Sequence, residues 1–244
     1  MAEHPRFELT TSPEPVETLI VGVSTYGLAG LTAVDYLTDE RPMEQVGYLT
    51  GGDQPVITPF QDGSPRHHTR LSVDTERSIG VVVGERMVTV EAATGVADAI
   101  ERLCERTETE TVVILSGVPV AHGPDDHVPF YIATEGYRSS FLETADIRPM
   151  GNGYIDGLPA ELLDRGIEDA GLDVGVFTTP VHAQTPDAAA ALRLLDVLSA
   201  VHDIDIDTGP LKAFAASVES HYQALAERLD SERDTGVPDD RMYM

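Results

Sequence analysis

Hydrophobic positions along the chain fall into short continuous runs separated by longer stretches with helical spacing. Glu17–Val23 (ETLIVGV) is a brief apolar run of the kind a fully buried strand carries. Gly27–Glu40 then places apolar residues three and four apart, and Pro42 follows its end, so this region reads as strand, turn and helix. Gln45–Thr50 and Val56–Phe60 read as further strands, and His67–Val73 and Ser78–Gly84 as a strand pair whose second member is fully buried. Val90–Arg106 has the period of a long amphipathic helix, and Thr111–Ser116 (TVVILS) is a buried strand ending in Gly117-Val118-Pro119. After a loop rich in Gly, Pro and Asp from His122 to Pro129, Phe130–Ala133 reads as a strand and Tyr137–Ala145 as a short helix. Leu158–Ala170 is predicted as a helix stopped by Gly171, Asp173–Thr179 as the last strand, and 185–202 as an Ala-rich helix with Pro186 in its first turn. A final helix is predicted over 208–233, with Leu211, Phe214, Ala215, Val218, Tyr222, Leu225 and Leu229 forming a face that must pack on something.

Strands alternating with helices imply an α/β domain with a parallel or mixed sheet covered on both faces. The pattern divides the chain into an arm (1–16), an α/β core (17–207), a C-terminal helix (208–233) and a tail (234–244). The arm is polar and rich in Pro and Thr and is expected to be flexible; it has neither the basic region nor the apolar region of a secretory leader. No run approaches the length of a membrane-spanning helix. The tail contains Gly236 and Pro238, cannot continue a helix, and reads as a solvated tether.

Charge changes the picture of where such a domain works. Forty-two acidic residues face sixteen basic ones, a formal net charge of −26, and the only lysine is Lys212. This excess argues against nucleic acid and anionic lipid as partners, because both need clustered positive charge. In multimolar salt the Debye length falls to about 3 Å or less and screens the self-repulsion. The acidity is therefore read as an adaptation to the salt-rich cytosol of a halophilic archaeon, with a cytoplasmic location expected. Cys104, the only cysteine, lies in a predicted amphipathic helix as a small buried hydrophobe, without the helix N-terminus that would activate a thiol.

Candidate catalytic chemistry is sparse. Gly22, Gly27 and Gly30 sit where a strand turns into a helix, the usual place for a phosphate cradle. Position 24 is Ser, so the dinucleotide fingerprint is missing, and Leu28-Ala29 stands where a P-loop needs Lys-Ser/Thr. These glycines, with Gly117 and Pro119, are read as structural turn residues allowing close helix–sheet contact. His67 and His68 are adjacent on a predicted strand and point to opposite faces. His122, Asp125, Asp126 and His127 share one loop, whose Pro-Asp-Asp stretch is ordinary turn chemistry, so no metal and no cofactor are expected. No Gly-x-Ser-x-Gly elbow surrounds Ser24 or Ser116, and no catalytic residue is assigned.

The last residues differ. Arg241-Met242-Tyr243-Met244 follows the acidic tether. An apolar side chain can fill a small pocket, a tyrosine can pack and hydrogen-bond, and a terminal carboxylate can pair with a cation, which together make a terminal-carboxylate recognition motif.

The stretch LIVGVSTYGLAGLTAVDYL resembles the start of the archaeal and bacterial homologues of the second proteasome assembly chaperone. Similar too are the Gly117-Val118-Pro119 turn after TVVILS, and the segment from Gly153-Tyr154-Ile155-Asp156-Gly157-Leu158 through Thr185-Pro186-Asp187-Ala188-Ala189-Ala190 to Ile204-Asp205-Ile206-Asp207-Thr208; together these cover about 18–211. The resemblance implies a three-layer α/β/α sandwich with a mixed, mostly parallel sheet, like nucleoside phosphorylases but without their catalytic residues, and self-association into small rings. Some archaeal members end in a hydrophobic-Tyr-any tail that inserts between α-subunits of the 20S proteasome, and Met242, Tyr243 and Met244 match it position by position. By that resemblance the chain is a proteasome assembly chaperone or ATP-independent activator rather than an enzyme. The competing readings are a nucleosidase or phosphorylase using the cleft, and an oligomeric chaperone with another partner.

Overall fold

The computed structural model describes residues 4–11, 15–52, 55–120, 123, 126–168, 171–182, 185–218 and 220. Its centre is a nine-stranded sheet with strand order β1-β3-β6-β7-β2-β8-β11-β9-β10. The long central members are β7 (Ile79–Met87), β2 (Thr18–Ser24), β8 (Thr111–Val118) and β11 (Asp173–Pro180), all parallel. Burial on both faces explains their near-continuous apolar sequences. Toward one edge, β6 (Thr69–Asp74), β3 (Glu44–Thr50) and β1 (Arg6–Leu9) add antiparallel. Toward the other, β9 (Phe130–Ala133) runs antiparallel to β11, and β10 (Arg148–Pro149) runs parallel to β9. A two-strand hairpin, β4 (Phe60–Gln61) and β5 (Ser64–Pro65), stands apart.

Alternate residues of each central strand feed two separate cores. Leu19, Val21, Val112, Ile114, Val174 and Val176 meet α2 (Val90–Thr107) and α4 (Gly157–Glu168) on one face. Ile20, Val81, Val113, Leu115 and Phe177 meet α1 (Ala29–Glu40) and α5 (Ala188–His202) on the other. Each fully buried Val, Leu or Ile contributes about 2 kcal/mol. The result is the three-layer α/β/α sandwich with a mixed sheet that the sequence implies. Cys104 is buried in the first core, and burial pushes its thiol up to about 12. In the second core, a short helical turn, α3 (Glu135–Tyr137), continues into a π-helical turn at Arg138–Leu142. Tyr137 there lies 2.7 Å from His202 Nε2, and burial pushes that imidazole down to about 4.

Several expectations are corrected. Part of the expected flexible arm is β1: Phe7 is buried and the strand is paired to β3, because Arg6-Phe7-Glu8-Leu9 alternates polar and apolar over one short strand. Val56–Phe60 is not a strand. Only Phe60 enters β4, and Val56, Ile57 and Phe60 are exposed, so their apolar character reflects no sheet face. His67 and His68 precede β6 rather than lying in it. The helix expected over Tyr137–Ala145 starts earlier, at Glu135, capped by the Thr134 hydroxyl that accepts from Tyr137 N–H, and ends in the π-helical turn. Pro186 lies before α5 rather than inside it; Asp187 is the N-cap, its Oδ1 accepting from Ala190 N–H at 2.8 Å. The helix expected over 208–233 is seen at 209–218, where Leu211 is buried, Ala215 half-buried and Phe214 exposed.

Candidate functional site

In a sheet of this kind ligands bind outside the carboxyl ends of the parallel strands, and two places there are informative. The first is the turn from β2 into α1. A Cβ on Gly30 would lie 2.0 Å from the Leu115 carbonyl oxygen, so α1 rests directly on the β8 backbone. Gly27 has φ of 65°, which glycine adopts without strain, and a Cβ there would lie 2.7 Å from Val181 Cβ. Gly22 and Gly117 make comparably close approaches, to Val34 and to Val181. Pro119 follows the last residue of β8. The space beside the glycines is thus occupied by Leu115 and Val181.

Two charged groups beside this turn, Arg193 and Asp187, are tied to the protein itself, whereas the buried hydroxyls of Thr25 and Thr178 have no partner among the described residues. Arg193 donates from Nε to Thr179 Oγ1 at 2.9 Å and from Nη2 to the Pro180 carbonyl at 3.0 Å. Asp187 Oδ2 accepts from His182 N–H at 3.2 Å and lies 3.0 Å from His182 Nδ1. Burial alone would raise the Asp187 carboxyl, but the Ala190 N–H and the His182 contacts hold it below the usual range. His127 approaches His182 edge-on, with ring centroids 5.8 Å apart. Asp126 closes a turn by accepting from Gly123 N–H, while His122 and Asp125 lie outside the described residues. Among the described residues no group of three or more His, Cys, Asp or Glu could hold a metal.

The second place lies at the opposite edge, where the end of β3, the segment leading to the hairpin, His67, His68 and the end of β7 enclose a cavity of about 500 Å³. His67 stacks on Tyr48 at 3.6 Å, and His68 Nδ1 lies 2.9 Å from Thr69 Oγ1. Burial, and then Arg86, hold the His68 imidazole below its ordinary range. No motif marked this cavity in the sequence; the only signal was a pair of adjacent histidines.

Met242, Tyr243 and Met244 lie outside the described residues. Among the described residues no helix is long and apolar enough to cross a membrane.

Known proteins match this architecture over nearly its whole length. Pyrococcus furiosus PbaA, an archaeal homolog of proteasome-assembly chaperone, superposes with a TM-score of 0.81 at 22% identity, covering 94% of this chain and 95% of that one. Pyrococcus furiosus PbaB, an archaeal proteasome activator, gives 0.73 at 18% identity over 91% and 99% of the two chains. A PAC2 family protein from Streptomyces avermitilis gives 0.65 at 20% identity over 90% and 99%. No curated protein matches the sequence. The model of the PAC2 family matches residues 19–226, from the first central strand past the described part of the last helix, and the chain belongs to the PAC2 family.

Proposed function

We propose that this protein is an assembly chaperone or ATP-independent activator of the 20S proteasome that docks on the α-ring through Met242, Tyr243 and Met244. The observation that carries the reading is the near-full-length correspondence with PbaA and PbaB, the one a homolog of proteasome-assembly chaperone and the other a proteasome activator. The hydrophobic-Tyr-any sequence at 242–244 supplies the contact. Met242 fills an apolar pocket, Tyr243 sets the gate conformation and the Met244 carboxylate pairs with a pocket lysine of the α-ring. The protein acts by binding, without turnover, in a salt-rich cytosol.

A single three-residue contact is weak. Several tails on one small ring of this chain engage at high effective concentration, a gain of about 10²–10⁴ when the tether spans the pockets. Extended, the tether 234–244 reaches about 3.5 Å per residue. Phe214, 59% exposed on helix 209–218, supports self-association, since this face is only partly seated on its own domain. Native mass spectrometry of a high-salt pull-down with the cognate 20S particle tests the proposal. The intact chain is expected to be recovered as an oligomer bound to particles, and a version lacking Met242–Met244 is expected to be recovered unbound.

A further inference from the structure

The cavity at the β3–β7 edge holds a charge that none of the described residues neutralises. Arg86 is only 7% exposed and lines the cavity. Among the described residues no hydrogen bond or ion pair reaches its guanidinium, and burial depresses its pKa without an opposing carboxylate. Its arginine neighbours are different. Arg66 pairs with Glu85, and Arg70 meets both Glu85 at 3.3 Å and Asp35 at 3.1 Å, so these two cations and two anions cancel. Among the described residues Arg86 is left over as one buried positive charge, in a chain of net charge −26. An unpaired buried ion is costly unless something completes it.

The surroundings fit a ligand. Gly51 and Gly52, at φ of 80° and 89°, carry the backbone past the guanidinium in a conformation that other residues rarely adopt. A Cβ on Gly52 would lie 3.9 Å from Arg86 Nη2. Leu49, Val56 and Ile57 give the cavity an apolar wall. Its volume is that of a small-molecule site, about 300–1,000 Å³.

We propose that this cavity binds a small organic carboxylate, its two oxygens paired side by side with the Arg86 fork and its aliphatic body seated on Val56 and Ile57. Charge selects the class. One free cation balances one carboxylate, whereas a phosphate dianion would carry its second charge into the cavity uncompensated. The planar guanidinium fork also matches a carboxylate in geometry. The overall negative field opposes an approaching anion, so binding rests on direct contact in screened solution rather than on steering.

Thermal melting of the full chain in butyrate at fixed ionic strength tests this, because a ligand that binds only the folded state raises Tm saturably. The wild type is expected to show a saturable rise. Arg86→Met should need roughly ten- to a hundredfold more butyrate for the same rise, the worth of a hydrogen bond to a charged group, with Arg86→Lys in between. No saturable rise in the wild type, or the same rise at the same concentrations in Arg86→Met, overturns the proposal. An equal rise with n-butanol overturns the charge pairing, and a rise with inorganic phosphate but not butyrate overturns the carboxylate class. Should Arg86→Met fail to fold, ¹⁵N spectra of the wild-type guanidinium decide: its resonances must move saturably with butyrate, and fixed resonances refute the site.

Discussion

Arg193 and Arg86 both lie near the carboxyl edge of the sheet and both are held down by burial, yet their surroundings differ. Arg193 spends its donors on Thr179 and Pro180, beside a turn that Leu115 and Val181 fill. Arg86 faces a cavity of about 500 Å³ with its donors free of protein partners among the described residues. The glycine-rich turn, which sits where a phosphate cradle would but lacks its fingerprint, is a tightly closed joint. The open site occurs where no pattern marks it. Glycines therefore report close backbone approach, and only the structure distinguishes an approach to a ligand from an approach to the protein itself.

The largest effect should come from loading the closed joint. Gly30→Ala puts a methyl group 2.0 Å from a backbone oxygen that cannot swing aside, and a loss of about 3 kcal/mol or more is expected in chemical denaturation. A loss below about 1 kcal/mol would mean that the joint is looser than described. Next, Asp187→Ala removes the α5 cap and the acceptor of His182, and about 2 kcal/mol should be lost. The Asp187 carboxyl is held below its ordinary value, so its contribution is present above about pH 3.8 and disappears as pH falls through the lower folded value. The difference between wild type and Asp187→Ala should therefore shrink in acid.

The open region should respond with the opposite sign. Arg86→Met removes a buried charge that has no partner among the described residues, and stability without ligand should be unchanged or higher by about 1 kcal/mol. A loss of the size expected for Asp187→Ala would show that Arg86 already has a partner. The smallest effect concerns His68. Its folded value lies below the ordinary 6.5, so the unfolded chain takes up the proton first as pH falls. The fold thus loses stability progressively below about pH 6.5 and is unaffected above it. His68→Gln should flatten that slope, and in Arg86→Met the His68 resonance should titrate at higher pH.

The sandwich was legible because its signals are local and repeated. TVVILS and SIGVVVG are too apolar and too short for anything but strands buried on both faces, and 90–106 keeps a helical period throughout. What escaped depends on long-range pairing. Arg6–Leu9 is a strand only because β3 offers it an edge. Val56, Ile57 and Phe60 resemble a strand in composition but have no partner strand to bury them. The cavity escaped for the same reason, since Gly51, His68 and Arg86 meet through strand order rather than spacing. Met242, Tyr243 and Met244, proposed as the docking residues, rest by contrast on the sequence alone.

Docking through Met242–Met244 is tested by peptide hydrolysis by the cognate 20S particle in high salt, with co-purification scored in parallel, comparing the intact chain with one lacking Met242–Met244. The intact chain is expected to bind and the shortened chain, equally folded, is not; faster hydrolysis would identify gate opening, and unchanged hydrolysis with binding would identify assembly. Equal binding by both chains, or binding by neither to particles or free α-subunits, would contradict docking through these residues.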